Sequence, residues 1–348
     1  MKKTASAIVL GACLALGAAG TSLAQQNQLN VFIWSEYMDP EIITDFEKQF
    51  DCKVIIDLYE DNESMMAKLQ SGGDALYDIC VPGNYIIPQL IQQNLLAPLR
   101  HENIPNIANL SPSFKSPSYD PGNQHTVAYQ WGTVGIYMRK SGDAPIDETW
   151  GLLFDPAKQP GPFLLMDSIR EMLGCALKYK GYSVNTVDID QLKEVQAIMA
   201  DAKGRSLGLE GGVGGKNKVL AKTAVASIVY NGDAIRAIAD DPETTYFVPR
   251  EGGVIWCDNL AIPAKAPHRD LAEKFINFIL DPEVGARLSN FNQYATPNEA
   301  AKAHITPEDL ANPAIYPPDE MMSKLEFVND VGEDATLYDE IWTQMKSE

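Results

Sequence analysis

Val31-Phe32-Ile33-Trp34-Ser35-Glu36-Tyr37-Met38-Asp39-Pro40 changes character halfway along its length. With Leu29 before it, the first part reads as an apolar strand, Leu29 to Ile33. The last two residues read as a helix start. Asp39 is a capping side chain, and Pro40 fits the first turn because no intrahelical donor is lost there. Between strand and helix, four consecutive residues supply an indole, a hydroxyl, a carboxylate and a phenol. At the carboxyl end of the first strand of an α/β sheet, such a loop faces the crevice where ligands bind. Rings to stack on and an acid to pair with suit a cation. Read alone, the loop is equally consistent with core aromatics at Trp34 and Tyr37 and a solvated Glu36.

The alternation continues downstream. A helix with Ile42, Ile43, Phe46 and Phe50 on one face leads to a strand over Lys53–Leu58. Asn62 is expected to cap the next helix, and a third strand over Tyr77–Val81 ends near Tyr85. This β-α-β-α-β run predicts an α/β fold with a mostly parallel sheet and helices on both faces. Residues 98–125 have no period and read as a surface excursion. Thr126–Met138 is β-prone and broken by Gly132, which suggests a bend or close backbone approach. A second unit follows. Phe163–Met166 reads as a strand, Ser168 and Glu171 open a helix, and Asp188 caps another. Gly208 to Asn217 resembles a phosphate loop, but Glu210 and Asn217 stand where glycine and a hydroxyl are required, so it reads as a flexible segment near the cleft. Strands ending at Tyr230 and Trp256 precede Asp233 and Asp258. Crossings near Gly132 and Asp258 divide the chain into 25–132 plus 258–300 and 133–257 plus 301–348.

Of 348 residues, 28 are Lys or Arg and 47 are Asp or Glu, a net charge of −19. That argues against nucleic acid and anionic membrane surfaces as partners. Residues 1–24 read as a secretory signal: Lys2 and Lys3, an apolar stretch to Gly20, and Ser22-Leu23-Ala24 as a cleavage site. Loss of the two lysines takes the charge to −21. Cys13 in Leu10-Gly11-Ala12-Cys13 offers a lipoprotein site, but it would leave a very short apolar region, so cleavage near Ala24 is favoured. With no later spanning segment, an exported protein that does not insert into the membrane is expected. Cys52, Cys80, Cys175 and Cys257 remain, and their pairing is undecided.

One arrangement recurs. Trp34/Glu36/Tyr37, Tyr230/Asp233 and Trp256/Asp258 each place aromatic and acidic groups at an expected strand end, and Ser168/Glu171 does so without the ring. Converging on one crevice, such groups would hold a slender aliphatic chain with ammonium ends: rings exclude water, and carboxylates neutralise charge that is costly to desolvate. No nucleophile elbow, zinc motif or calcium loop occurs. A carboxylate pair in an aromatic cleft also fits a glycoside hydrolase. Tyrosines with carboxylates fit a ferric-ion binder, although metal ligands would cluster without Trp walls.

The whole mature chain resembles the periplasmic spermidine/putrescine-binding proteins of ABC transporters. The residues that carry the likeness include Trp34-Ser35-Glu36-Tyr37, Tyr59-Glu60-Asp61-Asn62-Glu63-Ser64-Met65, Arg170-Glu171, Asn231-Gly232-Asp233, Trp256 with Asp258, Tyr294 with Thr296-Pro297-Asn298, and Asn329-Asp330-Val331-Gly332. The resemblance implies a two-lobe periplasmic binding protein fold of type II enclosing one polyamine, delivery to an inner-membrane ABC permease, a monomer, no cofactor and no catalysis. It implies an aromatic box of Trp34, Tyr85, Tyr230, Trp256 and Tyr294, amine partners at Glu36, Glu171 and Asp258, and a polar contact from Ser35. Asp233 matches an acidic position of putrescine binders. Ser168 and Val328 stand where spermidine binders tend to carry Asp and Gln, and Tyr230 replaces a usual Trp. The lost carboxylate and amide favour a diamine such as putrescine.

Overall fold

A computed structural model describes residues 27–142 and 144–347 of the chain. The expected leader, its cleavage near Ala24 and Cys13 lie outside the described residues. Ten strands are described: β1 Asn27–Trp34, β2 Cys52–Tyr59, β3 Ile79–Cys80, β4 Thr126–Arg139, β5 Phe163–Met166, β6 Leu209–Glu210, β7 Ala226–Tyr230, β8 Thr244–Phe247, β9 Val254–Ala261 and β10 Glu326–Phe327. Their order is β2-β1-β3-β9-β4-β7-β5-β6, with β10 beside β9 and β8 beside β4.

The first β-α-β-α-β run forms as expected. β1 pairs in parallel with β2 and β3. Asp39 caps the helix Pro40–Phe50 by accepting from the Glu41 backbone N–H at 2.8 Å. The cap of the next helix, Asn62–Gln70, is Asp61 rather than Asn62. Asn62 is the first helical residue and is buried, its side-chain oxygen accepting from the Gly83 N–H at 2.9 Å. The second run is also parallel, β6-β5-β7.

Antiparallel joints connect the two runs, which period reading of single segments does not reveal. β4 is fourteen residues long. Its first half pairs antiparallel with β9 and its second half with β7 and β8. β9 itself runs from Thr133 of β4 back to Cys80 of β3. These two strands therefore carry the backbone between the halves of the molecule. Apolar side chains between sheet and helices form one large core, in which Phe46, Phe163 and Phe275 are fully buried, with a smaller cluster around Tyr137, Val229 and Ile255 beside it. The C-terminal helix Ala335–Ser347 buries Tyr338, Ile341 and Met345 against the second half. Among the described residues the four cysteines are free and buried, where they act as small apolar groups.

Gly208 to Asn217 is not a flexible loop. Gly212–Leu220 is a helix, despite four glycine positions from 211 to 215. Packing explains the composition. A Cβ on Gly215 would lie 2.3 Å from Ser227 Oγ, and one on Gly212 would lie 2.7 Å from Tyr230 Cδ2. The glycines let this helix lie against β7, and tertiary contact overrides their low propensity.

Candidate functional site

The strand ends converge on one pocket. β1 delivers Trp34, whose indole N–H donates to the Val81 carbonyl at 2.9 Å and whose ring lies 4.6 Å from that of Tyr59. β9 delivers Trp256 and Asp258, two residues apart and therefore on one face. Gly132 of β4 stands opposite Trp256. A Cβ there would come within 2.6 Å of Trp256 Cζ2, so the glycine is what lets the indole lie across the neighbouring strand. From the second half, β5 leads into the helix Ile169–Tyr179 carrying Glu171, and β7 ends at Tyr230. Tyr294 follows the helix Pro282–Asn292 and meets Trp256 edge-on at 5.1 Å. Tyr230 meets the same indole at 5.7 Å and 82°. These groups surround one narrow cavity of about 70 Å³ that opens to solvent at its mouth.

Of the twelve residues singled out from the sequence, eleven line this pocket: Trp34, Ser35, Tyr37, Tyr85, Ser168, Glu171, Tyr230, Asp233, Trp256, Asp258 and Tyr294. Glu36 does not. Its backbone is left-handed, with φ at +51°, and its carboxylate turns outward to Lys216 at 2.8 Å and Arg236 at 3.1 Å. The structure thus gives the acid expected to meet an amine two cations from the other half of the protein.

Two carboxylates are buried in the pocket without a cation in salt-bridge range among the described residues. Burial pushes Asp258 up to about 8, and the charge of Glu171 adds to the rise. The neighbouring Tyr37 hydroxyl favours the anion, although it meets no acceptor at full hydrogen-bonding geometry among the described residues. Burial also raises Glu171, against a hydrogen bond donated by the Ser168 hydroxyl. Asp233 differs. Burial raises it while Arg236 and Lys216 pull it back, and Arg236 lies 2.6 Å away, so its charge is met within the protein. Tyr85 is anchored by donating to Glu63 at 2.9 Å, with the Arg170 guanidinium 5.5 Å from its ring.

Glu60, Asn62, Met166, Asp167 and the helix start at Gly211–Val213 also line the pocket and were missed as site residues. Tyr59-Glu60 at the end of β2 repeats the aromatic-acid signature of the other strand ends and was findable from it. Asp167 pairs with Lys346 at 2.7 Å, a partner that only the docked C-terminal helix supplies. Val328 is fully buried outside the lining, its carbonyl accepting from the Asn84 amide.

Residues 41–317 match the family model described as bacterial extracellular solute-binding protein. The chain belongs to that family. Within this solute-binding family it is similar to the spermidine/putrescine-binding periplasmic protein of Salmonella typhimurium, at 32% identity over 100% of this chain and 99% of the relative. It is also similar to a putrescine/cadaverine-binding protein of Pseudomonas aeruginosa, at 30% identity over 97% and 98%. Among solved structures, a putative spermidine/putrescine ABC transporter protein from Listeria monocytogenes superposes with a TM-score of 0.85 at 34% identity, covering 92% of this chain and 99% of that one. The architecture is the two-lobe, type II form shared by such binding proteins.

Proposed function

We propose that this chain is a non-enzymatic periplasmic receptor that captures a polyamine, putrescine in preference to spermidine, and hands it to an ABC permease. The lobes are residues 25–132 plus 258–300 and 133–257 plus 301–348, with the ligand in the cleft between them and closure about β4 and β9. The protein acts as a monomer after removal of a leader near Ala24. The names of the relatives support the ligand class.

The observation that carries the reading is the pair Glu171 and Asp258, buried between ring faces with no cation in salt-bridge range among the described residues. An isolated buried carboxylate is costly when ionised, and a ligand ammonium removes that cost. Trp34, Tyr230 and Trp256 offer faces to methylenes and to cationic ends. Two uncompensated acids match a ligand with two charges. Ser35, Tyr37, Ser168 and Tyr85 supply polar contacts, and Asp233 serves as a paired acid at the pocket wall.

The rival readings find less support. The relatives are named for polyamines and not for a sugar or for iron.

Thermal unfolding with putrescine, spermidine, an oligosaccharide panel and ferric citrate tests the proposal, because a ligand that binds only the folded state raises its melting temperature. Putrescine is expected to give the largest rise. Stabilisation by a sugar or by iron alone would overturn the reading.

A further inference from the structure

Glu36 belongs to the first half of the molecule, and Lys216 and Arg236 to the second. Lys216 is nearly buried, with 8% of its side chain exposed, yet the described partner of its ammonium is Glu36. Arg236 contacts Glu36 and Asp233 and donates to the Asn292 carbonyl. Its guanidinium also sits 6.0 Å from the ring of Tyr294, which lines the pocket. At this end of the cleft the features that would attract a ligand ammonium are thus present: two carboxylates and a ring face. All three are already engaged by cations of the protein itself.

From this we infer that Lys216 and Arg236 determine ligand length, holding places that a third ammonium would otherwise take. The inference rests on the polyamine reading and deepens it. A diamine needs two acids, and Glu171 and Asp258 provide them. A triamine extended toward Tyr294 brings its extra charge to Asp233 and Glu36, where two fixed cations repel it and no unpaired carboxylate receives it. Glu36 then holds both cations from the other half of the molecule, and Asp233 holds Arg236 from its own helix. The left-handed backbone at Glu36 fits this role, because φ at +51° is unfavourable for a glutamate unless its surroundings over-determine it.

Lys216→Met removes one cation while keeping a long unbranched side chain. Lys216→Arg keeps the charge and is the control. Putrescine and spermidine affinities are measured by calorimetry on the wild type and both variants, with melting temperatures to confirm folding. In Lys216→Met, the affinity for spermidine relative to putrescine is expected to rise about tenfold, the scale of one charge-assisted contact. Lys216→Arg is expected to keep the wild-type ratio. An unchanged ratio in Lys216→Met would overturn the inference. So would a parallel loss of affinity for both ligands, which is what a latch between lobes with no role in selection would produce. Failure of the wild type to bind any polyamine would instead overturn the proposed function.

Discussion

Gly132 and Trp256 face each other across β4 and β9, and the indole occupies the space that a side chain on Gly132 would fill. Backbone and binding wall are built at the same point, on the two strands that run between the halves of the molecule.

Gly132→Ala is therefore expected to do two things. A Cβ 2.3 Å from Asn231 Oδ1 and 2.6 Å from Trp256 Cζ2 forces rearrangement, at a stability cost of about 1–3 kcal/mol by analogy with overpacked cores. Displacement of the indole should also weaken ligand binding. Urea unfolding and calorimetry on the same variant check both effects. Loss of stability with unchanged affinity would show that Trp256 does not form part of the binding wall.

Ligand binding should be linked to protons. In the empty site Asp258 is raised to about 8, so it is largely protonated at pH 7. An arriving ammonium favours the anion and expels the proton. Affinity should rise as pH increases from about 6 to 8, with proton release visible as buffer-dependent binding heat. The empty protein should behave in the opposite sense. Between the ordinary Asp value of about 3.9 and about 8, the folded state holds the extra proton, so stability falls as pH rises. Asp258→Asn should flatten that part of the stability profile.

Arg170 braces the pocket from behind. Its guanidinium donates to the Asn329 carbonyl at 2.9 Å and the Asn185 side chain at 3.1 Å, and lies 4.5 Å from the Tyr338 ring. Arg170→Ala is expected to cost about 2–4 kcal/mol through lost charged hydrogen bonds and lost packing of the stem. Affinity should fall as well, because Tyr85 loses its backing. Denaturant titration with and without ligand reads both.

Much of this arrangement was legible in the chain. β5 matched its expected bounds, and the strand-end pattern picked out residues that meet in space, because short apolar runs ending in polar turns encode both strand and crevice. Glu36 shows where such reading stops. Its partners Lys216 and Arg236 lie 180 and 200 positions away, and no local pattern reveals that a cation will take up an acid. The glycine-rich segment was misread for a related reason. Its helix depends on close contact with Tyr230 and Ser227, which composition alone presents as flexibility. Asn62 lost the cap to Asp61 because both side chains are capable of it, and burial against Gly83 decided between them.

The central claim is that Glu171 and Asp258 are the two carboxyl groups that receive a diamine. Calorimetric titration of putrescine into wild type, Asp258→Asn and Glu171→Gln at fixed pH tests it most directly. The account predicts one putrescine per chain in the wild type and at least tenfold weaker binding in each variant, since one charge-assisted bond contributes roughly 1.5–3 kcal/mol. Putrescine affinity equal to wild type in both variants would contradict it.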